Sequence, residues 1–188
     1  GRGGRGPRLE ACGSVAGGTG AGDGQSGVGA VLETGRALKA RGPKTMHPIL
    51  AVLTDGEEAG LLGASAFVDN PALKARVGVV VNVEARGNQG PSLLFQTSPG
   101  DASLIDLYAR NVPRAAASSL YGEIYKILPN DTDMTPFLGA GIAGYHFAFL
   151  GDVAHYHTAL DTIANLDSRS LQSSGDAVSA RSMSIRRE

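Results

Sequence analysis

The 188-residue chain has a single cysteine, Cys12, and no tryptophan. One cysteine excludes an internal disulfide and a zinc site built from thiolates. The 17 basic and 18 acidic residues give a net charge of −1, so there is no electrostatic case for binding nucleic acid or an anionic membrane surface. No apolar run approaches the roughly 18 residues of a membrane span, and no direct membrane contact by this segment is expected.

Composition divides the chain into a body with two unusual ends. Residues 1–20 are rich in glycine and arginine and show no apolar period, which predicts a disordered or aberrant tail. Residues 181–188 also differ from the segment before them and are predicted to form a second aberrant or disordered tail. The body, residues 21–180, has a length that suits one domain with one core.

Helical and strand patterns alternate along the body. Strands are predicted at 48–54, 77–84, 92–97 and 143–150, and helices at 26–39, 59–68, 102–111, 132–138 and 168–180. The strand at 77–84 is strongly β-branched and is expected to be buried on both faces. The first helix is expected to be capped by Ser26, with its apolar side formed by Val28, Val31, Leu32 and Leu38. This alternation predicts a three-layer α/β/α sandwich with a mostly parallel mixed central sheet.

Two adjacent carboxylates, Glu57 and Glu58, follow the first predicted strand in the sequence Asp55-Gly56-Glu57-Glu58. Such a pair is costly at the end of a buried strand unless a cation lies nearby. Adjacent side chains point different ways, so one carboxylate can bind a metal while the other transfers a proton. Metal-assisted hydrolysis needs this division of roles.

Further acidic residues and histidines lie at strand ends or in loops, where α/β sheets collect ligands. They are Asp23, Glu84, Asp131, Asp133, His155 and His157. Carboxylates combined with imidazole suit Zn²⁺, Mn²⁺ or Co²⁺. His155 and His157 are two residues apart in a stretch expected to be extended, so only one of them is expected to enter a site.

Several of the candidate residues also have a structural interpretation. Asp23 suits a turn or helix cap, and Glu57 and Glu58 suit the solvated first turn of a helix. Glu84 suits a loop salt bridge with Arg86. The remaining histidines, His47 and His146, are expected to be structural residues rather than ligands.

Five motifs occur in the order GAGDGQSGVG, TDGEEAGLLG, VNVEARG, NDTDMTPF and YHTALDTIANLD. Together they resemble the co-catalytic di-zinc exopeptidases of metallopeptidase family 28, which include bacterial leucyl aminopeptidases and membrane-tethered vacuolar and endoplasmic-reticulum members. The resemblance covers about residues 21–178. It implies the zinc-exopeptidase fold and release of an N-terminal residue from a peptide. It leaves the compartment open, since family members are often exported or membrane-tethered.

The resemblance also assigns roles to individual residues. It implies that Asp23 bridges two metals, that Glu57 is the general base, and that Glu58 and His157 are ligands of the first zinc. Glu84 corresponds to an acidic ligand of the second zinc. His155 is a second choice for the histidine ligand. Two loop residues, Asp131 and Asp133, correspond to positioning residues beside the pocket.

One family feature is absent from the sequence. The second zinc of the family takes a histidine from a His-x-Asp motif before the bridging aspartate, and the stretch 11–22 contains no histidine. The chain is therefore predicted to be an N-terminally incomplete copy with one complete metal site and possible loss of activity. A catalytically dead fold used for binding stays open as an alternative, as does another zinc amidohydrolase, a carboxypeptidase or a glutaminyl cyclase of the same fold.

Overall fold

The computed structural model describes residues 14–15, 17–42, 48–127 and 131–184. Within these residues a mixed sheet has the strand order β1-β3-β2, with β1 at Val79–Ala85, β2 at Leu93–Thr97 and β3 at Ala143–Phe149. Strand β1 pairs with β3 in parallel, and β2 pairs with β3 in antiparallel. The positions 1–13, 47 and 185–188, which the sequence analysis assigned to tails or to a structural histidine, lie outside the described residues.

The helices of the described chain flank this sheet. They are α1 (Gln25–Ala40), α2 (Leu62–Asp69), α3 (Pro71–Lys74), α4 (Ala102–Asn111), α5 (Ser119–Ile127), α6 (Met134–Gly139) and α7 (Ser168–Ser184), with a 3₁₀ turn at Val153–His155. Helix α4 has its predicted bounds, α7 extends to Ser184, and α5 was not predicted. Helix α6 begins at Met134, whose N–H donates to the Thr132 hydroxyl at 3.3 Å.

Hydrophobic clusters lie on both faces of the sheet. On one face Val81 packs with Tyr145 and Phe147 against helices α1, α4 and α7. On the other face Val80 packs with Phe67 of α2 and Phe137 of α6. Neighbouring residues of β1 therefore face different helical layers, as the alternation of a strand requires. The predicted three-layer α/β/α sandwich is confirmed.

The buried face of α1 differs from the prediction. Its buried residues are small (Ser26, Gly27, Ala30 and Thr34), whereas Leu32 of the predicted apolar side is 57% exposed. The cause is close packing on β1, because a Cβ on Gly27 would lie 2.3 Å from the carbonyl oxygen of Val83. Ser26 is not the cap: Gly24 is, and the Ser26 hydroxyl donates to the Gly22 carbonyl.

The predicted strand at 48–54 is wrong for this structure, since the segment forms no strand ladder. A cavity of about 80 Å³ is lined by Val52-Leu53-Thr54 on one side and by Val81-Asn82-Val83-Glu84 of β1 on the other. The segment therefore faces β1 without hydrogen bonding to it, and Leu53 is 52% exposed. The same cavity leaves β1 partly exposed rather than buried on both faces. The segment still delivers the acidic turn that follows it to the edge of the sheet.

Candidate metal centre

A tight turn before α1 positions Asp23, whose side chain is buried. The backbone N–H groups of Gly22 and Asp23 donate to the two oxygens of the Asp161 carboxylate at 2.6 and 3.1 Å. The side-chain amide of Asn88 donates to the same carboxylate at 2.9 Å. A Cβ at Gly22 would lie 2.5 Å from the Gly87 carbonyl oxygen, so this approach requires glycine. Asp161 and Asn88 thus fix the backbone on which Asp23 stands.

A second turn, between the 48–54 segment and α2, carries Glu57 and Glu58. The Glu57 carbonyl accepts a hydrogen bond from the Leu61 N–H at 2.8 Å, and the Asp55 carbonyl accepts one from the Gly63 N–H at 2.9 Å. A Cβ on Gly63 would lie 2.7 Å from the Asp55 nitrogen. Glycine at this position therefore lets α2 close directly onto the acidic turn, which fixes the start of both glutamate side chains.

His157 follows the 3₁₀ turn after β3. Its φ of 57° is left-handed, a conformation that costs energy for a residue with a Cβ and is often found at functional sites. The Tyr156 ring stacks on its imidazole with centroids 3.7 Å apart. His155 instead places its Nδ1 3.4 Å from an oxygen of Asp152. The expected extended stretch is wrong, because the 3₁₀ turn and the left-handed residue separate the two histidines.

Asp23, Glu58 and His157 converge on one point. The Nε2 atom of His157 lies 2.5 Å from Glu58 Oε1 and 3.2 Å from Asp23 Oδ2, and one donor atom from each of the three lies within 4.8 Å of the others. Asp23 Oδ2 and His157 Nε2 are buried, and their close contacts do not have the geometry of hydrogen bonds. Buried polar atoms without partners are costly, and a carboxylate–imidazole donor set suits zinc. The three residues therefore fit a zinc ion.

Glu84, at the end of β1, lies beside this cluster but does not join it. It lines the larger cavity with Glu57 and Asp133, and a smaller one with Asp23. In the part of the chain that the structure describes, Asp23, Glu58 and His157 are the one group of three histidine, cysteine or acidic side chains with donor atoms this close. The pair of Asp23 and Glu84 consequently has no third ligand of these types within that range.

The two predicted positioning residues differ in their surroundings. Asp133 is buried and accepts a hydrogen bond from the Thr54 hydroxyl, which joins α6 to the segment before the acidic turn. Asp131 is exposed and accepts a hydrogen bond from the Thr135 hydroxyl at 3.2 Å. Of the two, Asp133 therefore lies against the cavity beside Glu57.

Burial and mutual repulsion raise the pKa of several carboxyl groups in the site. Burial, followed by repulsion from Glu84 and Glu58, raises the pKa of Asp23 to about 9. Burial and the charges of Glu57 and Asp133 raise the pKa of Glu84 to about 8, and burial with Glu58 raises that of Glu57 to about 7. Each shift opposes ionisation, so the site is electrostatically suited to a cation.

Some site residues escaped the sequence analysis. The Arg86 guanidinium lies 5.6 Å from the Tyr156 ring centroid, and its charge lowers the pKa of both Glu57 and Glu84. Arg86 was predicted only as a salt-bridge partner of Glu84. Asp161 stood inside the quoted motif after His157, but only its burial and its three donors reveal its role.

Comparison with known proteins identifies the family of the chain. The profile described as peptidase family M28 matches residues 12–181. The chain belongs to this family. Endoplasmic reticulum metallopeptidase 1 of Homo sapiens is 29% identical over 170 residues, 89% of this chain and 19% of the relative. The vacuolar membrane protease of Lodderomyces elongisporus is 34% identical over 126 residues, 65% of this chain and 13% of the relative.

The fold of this M28 chain also matches solved structures. A zinc aminopeptidase from Bacillus subtilis superposes with a TM-score of 0.71 at 24% identity, covering 89% of this chain and 42% of that one. The zinc-exopeptidase fold is therefore confirmed. The chain spans about a fifth of the human relative and less than half of the Bacillus subtilis enzyme. No described helix combines the length and apolar character needed to cross a bilayer.

Proposed function

We propose that this chain is a zinc-dependent exopeptidase of the aminopeptidase type, which hydrolyses the first peptide bond of a substrate. The convergence of Asp23, Glu58 and His157 beside Glu57 carries the proposal. Membership in a metallopeptidase family and the fold shared with a zinc aminopeptidase support it. The proposed partner is a peptide substrate; the net charge of −1 favours neither nucleic acid nor direct membrane contact by this segment.

The charge of the two cavities favours an N-terminal over a C-terminal substrate end. Their lining includes the carboxyl groups of Asp23, Glu57, Glu84 and Asp133, with Arg86 as the basic residue. Such a surface attracts the protonated α-amino group of a peptide and disfavours its α-carboxylate. A carboxypeptidase needs the opposite balance, so the aminopeptidase assignment fits this lining better.

In the proposed mechanism, Asp23, Glu58 and His157 would hold a zinc ion, and Glu57 moves the proton. When bound, zinc polarises the scissile carbonyl and lowers the pKa of water. The Glu57 carboxylate accepts a proton from the attacking water and delivers it to the leaving amine. Arg86 partly offsets the crowding of acidic groups around Glu57, while Asp133 and Asp131 position the loop beside the pocket.

Replacement of Glu57 by glutamine tests the proton-transfer role. Glu57→Gln is expected to lower hydrolysis of leucine p-nitroanilide with added zinc by at least about 100-fold, because general-base catalysis contributes about 10²–10⁴-fold. Zinc content after dialysis is expected to stay unchanged. The matched control is Glu33→Gln, an exposed glutamate paired with Arg36 outside the site, which should retain full activity. Loss of zinc together with activity in Glu57→Gln would instead make Glu57 a ligand.

Zinc stoichiometry and substrate blocking complete the test. One tightly held zinc per chain is expected, because Glu84 lacks the third ligand that the first site has. Two tightly held equivalents would contradict this. N-acetyl-leucine p-nitroanilide should not be hydrolysed, because an aminopeptidase requires a free α-amino group. Its hydrolysis would instead favour an amidohydrolase, which does not require one.

The isolated position of Glu84 favours a second candidate, a peptidase-like domain used for binding. In that case wild-type protein and Glu57→Gln would bind zinc equally and both lack hydrolysis. Measurable hydrolysis by the wild type that Glu57→Gln abolishes would exclude it.

A further inference from the structure

The candidate ligand His157 belongs to a stack of three side chains that connects it to the sheet. The Tyr156 ring lies over the imidazole, with ring centroids 3.7 Å apart and an angle of 21° between the ring planes. The guanidinium carbon of Arg86 lies over the same tyrosine ring, 5.6 Å from its centroid, which is within the range of a cation–π contact. One tyrosine ring therefore contacts both a candidate zinc ligand and a permanent cation. We call these three side chains the stack.

Backbone contacts between two loops bring the stack together. The Arg86 N–H donates to the carbonyl of Phe149, the last residue of β3, at 3.0 Å. A Cβ on Gly87 would lie 2.1 Å from the Gly151 carbonyl oxygen, so the loop after β1 is in close contact with the loop after β3. The first loop thus delivers Arg86 to the second, which carries the other two members of the stack.

The imidazole of His157 needs contacts of its own to keep one direction. The φ of His157 is 57°, a left-handed value that costs energy for a residue with a Cβ. Hydrogen bonds from the Thr158 N–H and hydroxyl to the His155 carbonyl, at 3.2 and 2.8 Å, hold the backbone of this turn. The direction of the imidazole depends instead on what its ring contacts. In the stacked orientation its Nε2 lies 2.5 Å from Glu58 Oε1, the side on which a metal would bind.

The tyrosine in the middle of the stack is itself held in place. Its N–H donates to the Val153 carbonyl at 3.1 Å, and its side chain lines the smaller cavity together with Arg86 and Asp23. Burial, followed by the charge of Asp23, raises the pKa of Tyr156 above its ordinary value, so the hydroxyl stays neutral. A cation–π contact is stronger away from water, and the guanidinium therefore restrains this ring effectively.

We propose that Arg86 and Tyr156 are positioning residues for zinc binding, in which the guanidinium holds the tyrosine ring and the ring holds the His157 imidazole in its ligating direction. The inference rests on the proposed zinc site and adds residues that do not themselves bind the ion. The role belongs to the ring of Tyr156 and not to its hydroxyl. Arg86 acts through its shape as well as its charge, because a flat guanidinium stacks on an aromatic ring and an ammonium group does not.

Zinc affinity, measured by competition with a chromophoric chelator, tests the role of the tyrosine ring. Tyr156→Leu should weaken zinc binding about 10- to 100-fold, as is typical when an outer partner of a metal ligand is removed. Tyr156→Phe keeps the ring and should bind zinc within about twofold of the wild type. The control Tyr121→Leu removes a tyrosine ring that stacks on Phe95 with centroids 6.3 Å apart, outside the stack. It should lower the free energy of unfolding and leave zinc affinity unchanged.

Arg86→Lys tests the guanidinium without changing the charge beside the glutamates of the site. It should weaken zinc binding about 2- to 5-fold, because lysine keeps the positive charge and loses the planar contact. The matched control is Arg110→Lys in an exposed pair with Asp106, which should keep the wild-type affinity. Cobalt-loaded Tyr156→Leu should also differ from the cobalt-loaded wild type in its visible absorption, which reports the ligand geometry around Co²⁺.

The outcomes separate this inference from the proposed function. Wild-type zinc affinity in both Tyr156→Leu and Arg86→Lys would overturn the positioning role and leave the proposed zinc site intact. A loss of affinity in Tyr156→Phe as large as that in Tyr156→Leu would assign the effect to the hydroxyl and overturn the role of the ring. If Tyr156→Leu does not fold, wild-type affinity in Arg86→Lys is enough to overturn the stack. A wild type that binds no zinc would refute the zinc site and this inference together.

Discussion

Asp161 offers a direct test of how the fold positions the candidate metal centre. Its buried carboxylate accepts hydrogen bonds from the backbone N–H groups of Gly22 and Asp23 and from the side chain of Asn88. We predict that Asp161→Asn destabilises the protein and weakens zinc binding, although Asp161 is not a proposed ligand. The change preserves the size of the side chain and replaces one acceptor oxygen by an NH₂ group.

The size of the effect follows from the donors around this carboxylate. Oδ1 accepts from Gly22 and Asn88, and Oδ2 accepts from Asp23. An asparagine that retains the Oδ1 contacts turns its NH₂ toward the Asp23 N–H, so one charged hydrogen bond, worth about 1.5–3 kcal/mol, is lost. A loss of about 2–3 kcal/mol in the free energy of unfolding is therefore expected. Zinc affinity should fall about 10- to 100-fold, as is typical when an outer partner of a metal ligand is removed.

Asp161→Asn also has a smaller effect that favours zinc binding. The Asp161 charge helps to raise the pKa of Asp23, so its removal favours the ionised, metal-binding form of Asp23. Burial and the charges of three glutamates contribute more to that shift than Asp161 does. The loss of backbone positioning is therefore expected to dominate over the gain in ionisation.

Urea unfolding of the metal-free protein and zinc titration against a chromophoric chelator measure the two effects. The matched control is Asp106→Asn, which removes one carboxylate from an exposed pair with Arg110 and should change stability by less than about 0.5 kcal/mol. If Asp161→Asn matches this control in both unfolding and zinc affinity, the assigned positioning role is refuted.

Two further predictions concern stability. Gly27→Ala should lower the free energy of urea unfolding by about 1–3 kcal/mol, because its Cβ would overlap the Val83 carbonyl. The control Gly35→Ala, which has open space around it, should raise that free energy by about 0.5–1 kcal/mol. Equal effects of the two substitutions would contradict the close helix–strand contact. The raised pKa values of Asp23 and Glu84 contribute stability to the metal-free fold that is fully present below the ordinary carboxyl pKa and lost as the pH rises through about 8–9. Thermal unfolding without zinc should therefore show stability that falls from pH 5 to pH 9. A stability that rises with pH would contradict the raised pKa values.

Local sequence patterns correctly predicted helices and strands whose own residues determine where they begin and end. Helix α4 has its predicted bounds, Ala102–Asn111, and β3 lies within the predicted strand. The secondary-structure prediction was wrong where packing against another part of the chain determines the conformation. The segment 48–54 has an apolar strand pattern, yet a strand needs a ladder partner, and a cavity lies between it and β1. Hydrophobicity also selected the wrong face of α1, because close packing at Gly27 favours small residues there.

For the candidate site, the order of motifs predicted which residues take part but not how they contact one another. Asp23, Glu58 and His157 are far apart in sequence, and only the fold shows that their donor atoms lie within 4.8 Å of one another. Their proposed roles stay predictions. The unsatisfied imidazole of His146 has no sequence signature, since a histidine in a strand usually is a structural residue. Its environment depends on Phe95 and Tyr125, which come from β2 and α5.

If Asp23, Glu58 and His157 bind zinc as proposed, proton release explains why the site should hold one ion more firmly than two. With a pKa of about 9, Asp23 is mostly protonated in the metal-free protein near pH 7, and it must lose that proton to bind zinc. In the first site, Glu58 and His157 contribute two further donors to compensate for this loss. A second ion beside Glu84, whose pKa is about 8, would have to displace another proton without a third ligand of the same kind. The two cations would also repel each other if Asp23 were a ligand of both. The first zinc therefore gains from relieving the crowded carboxylates, and little of that gain is left for a second.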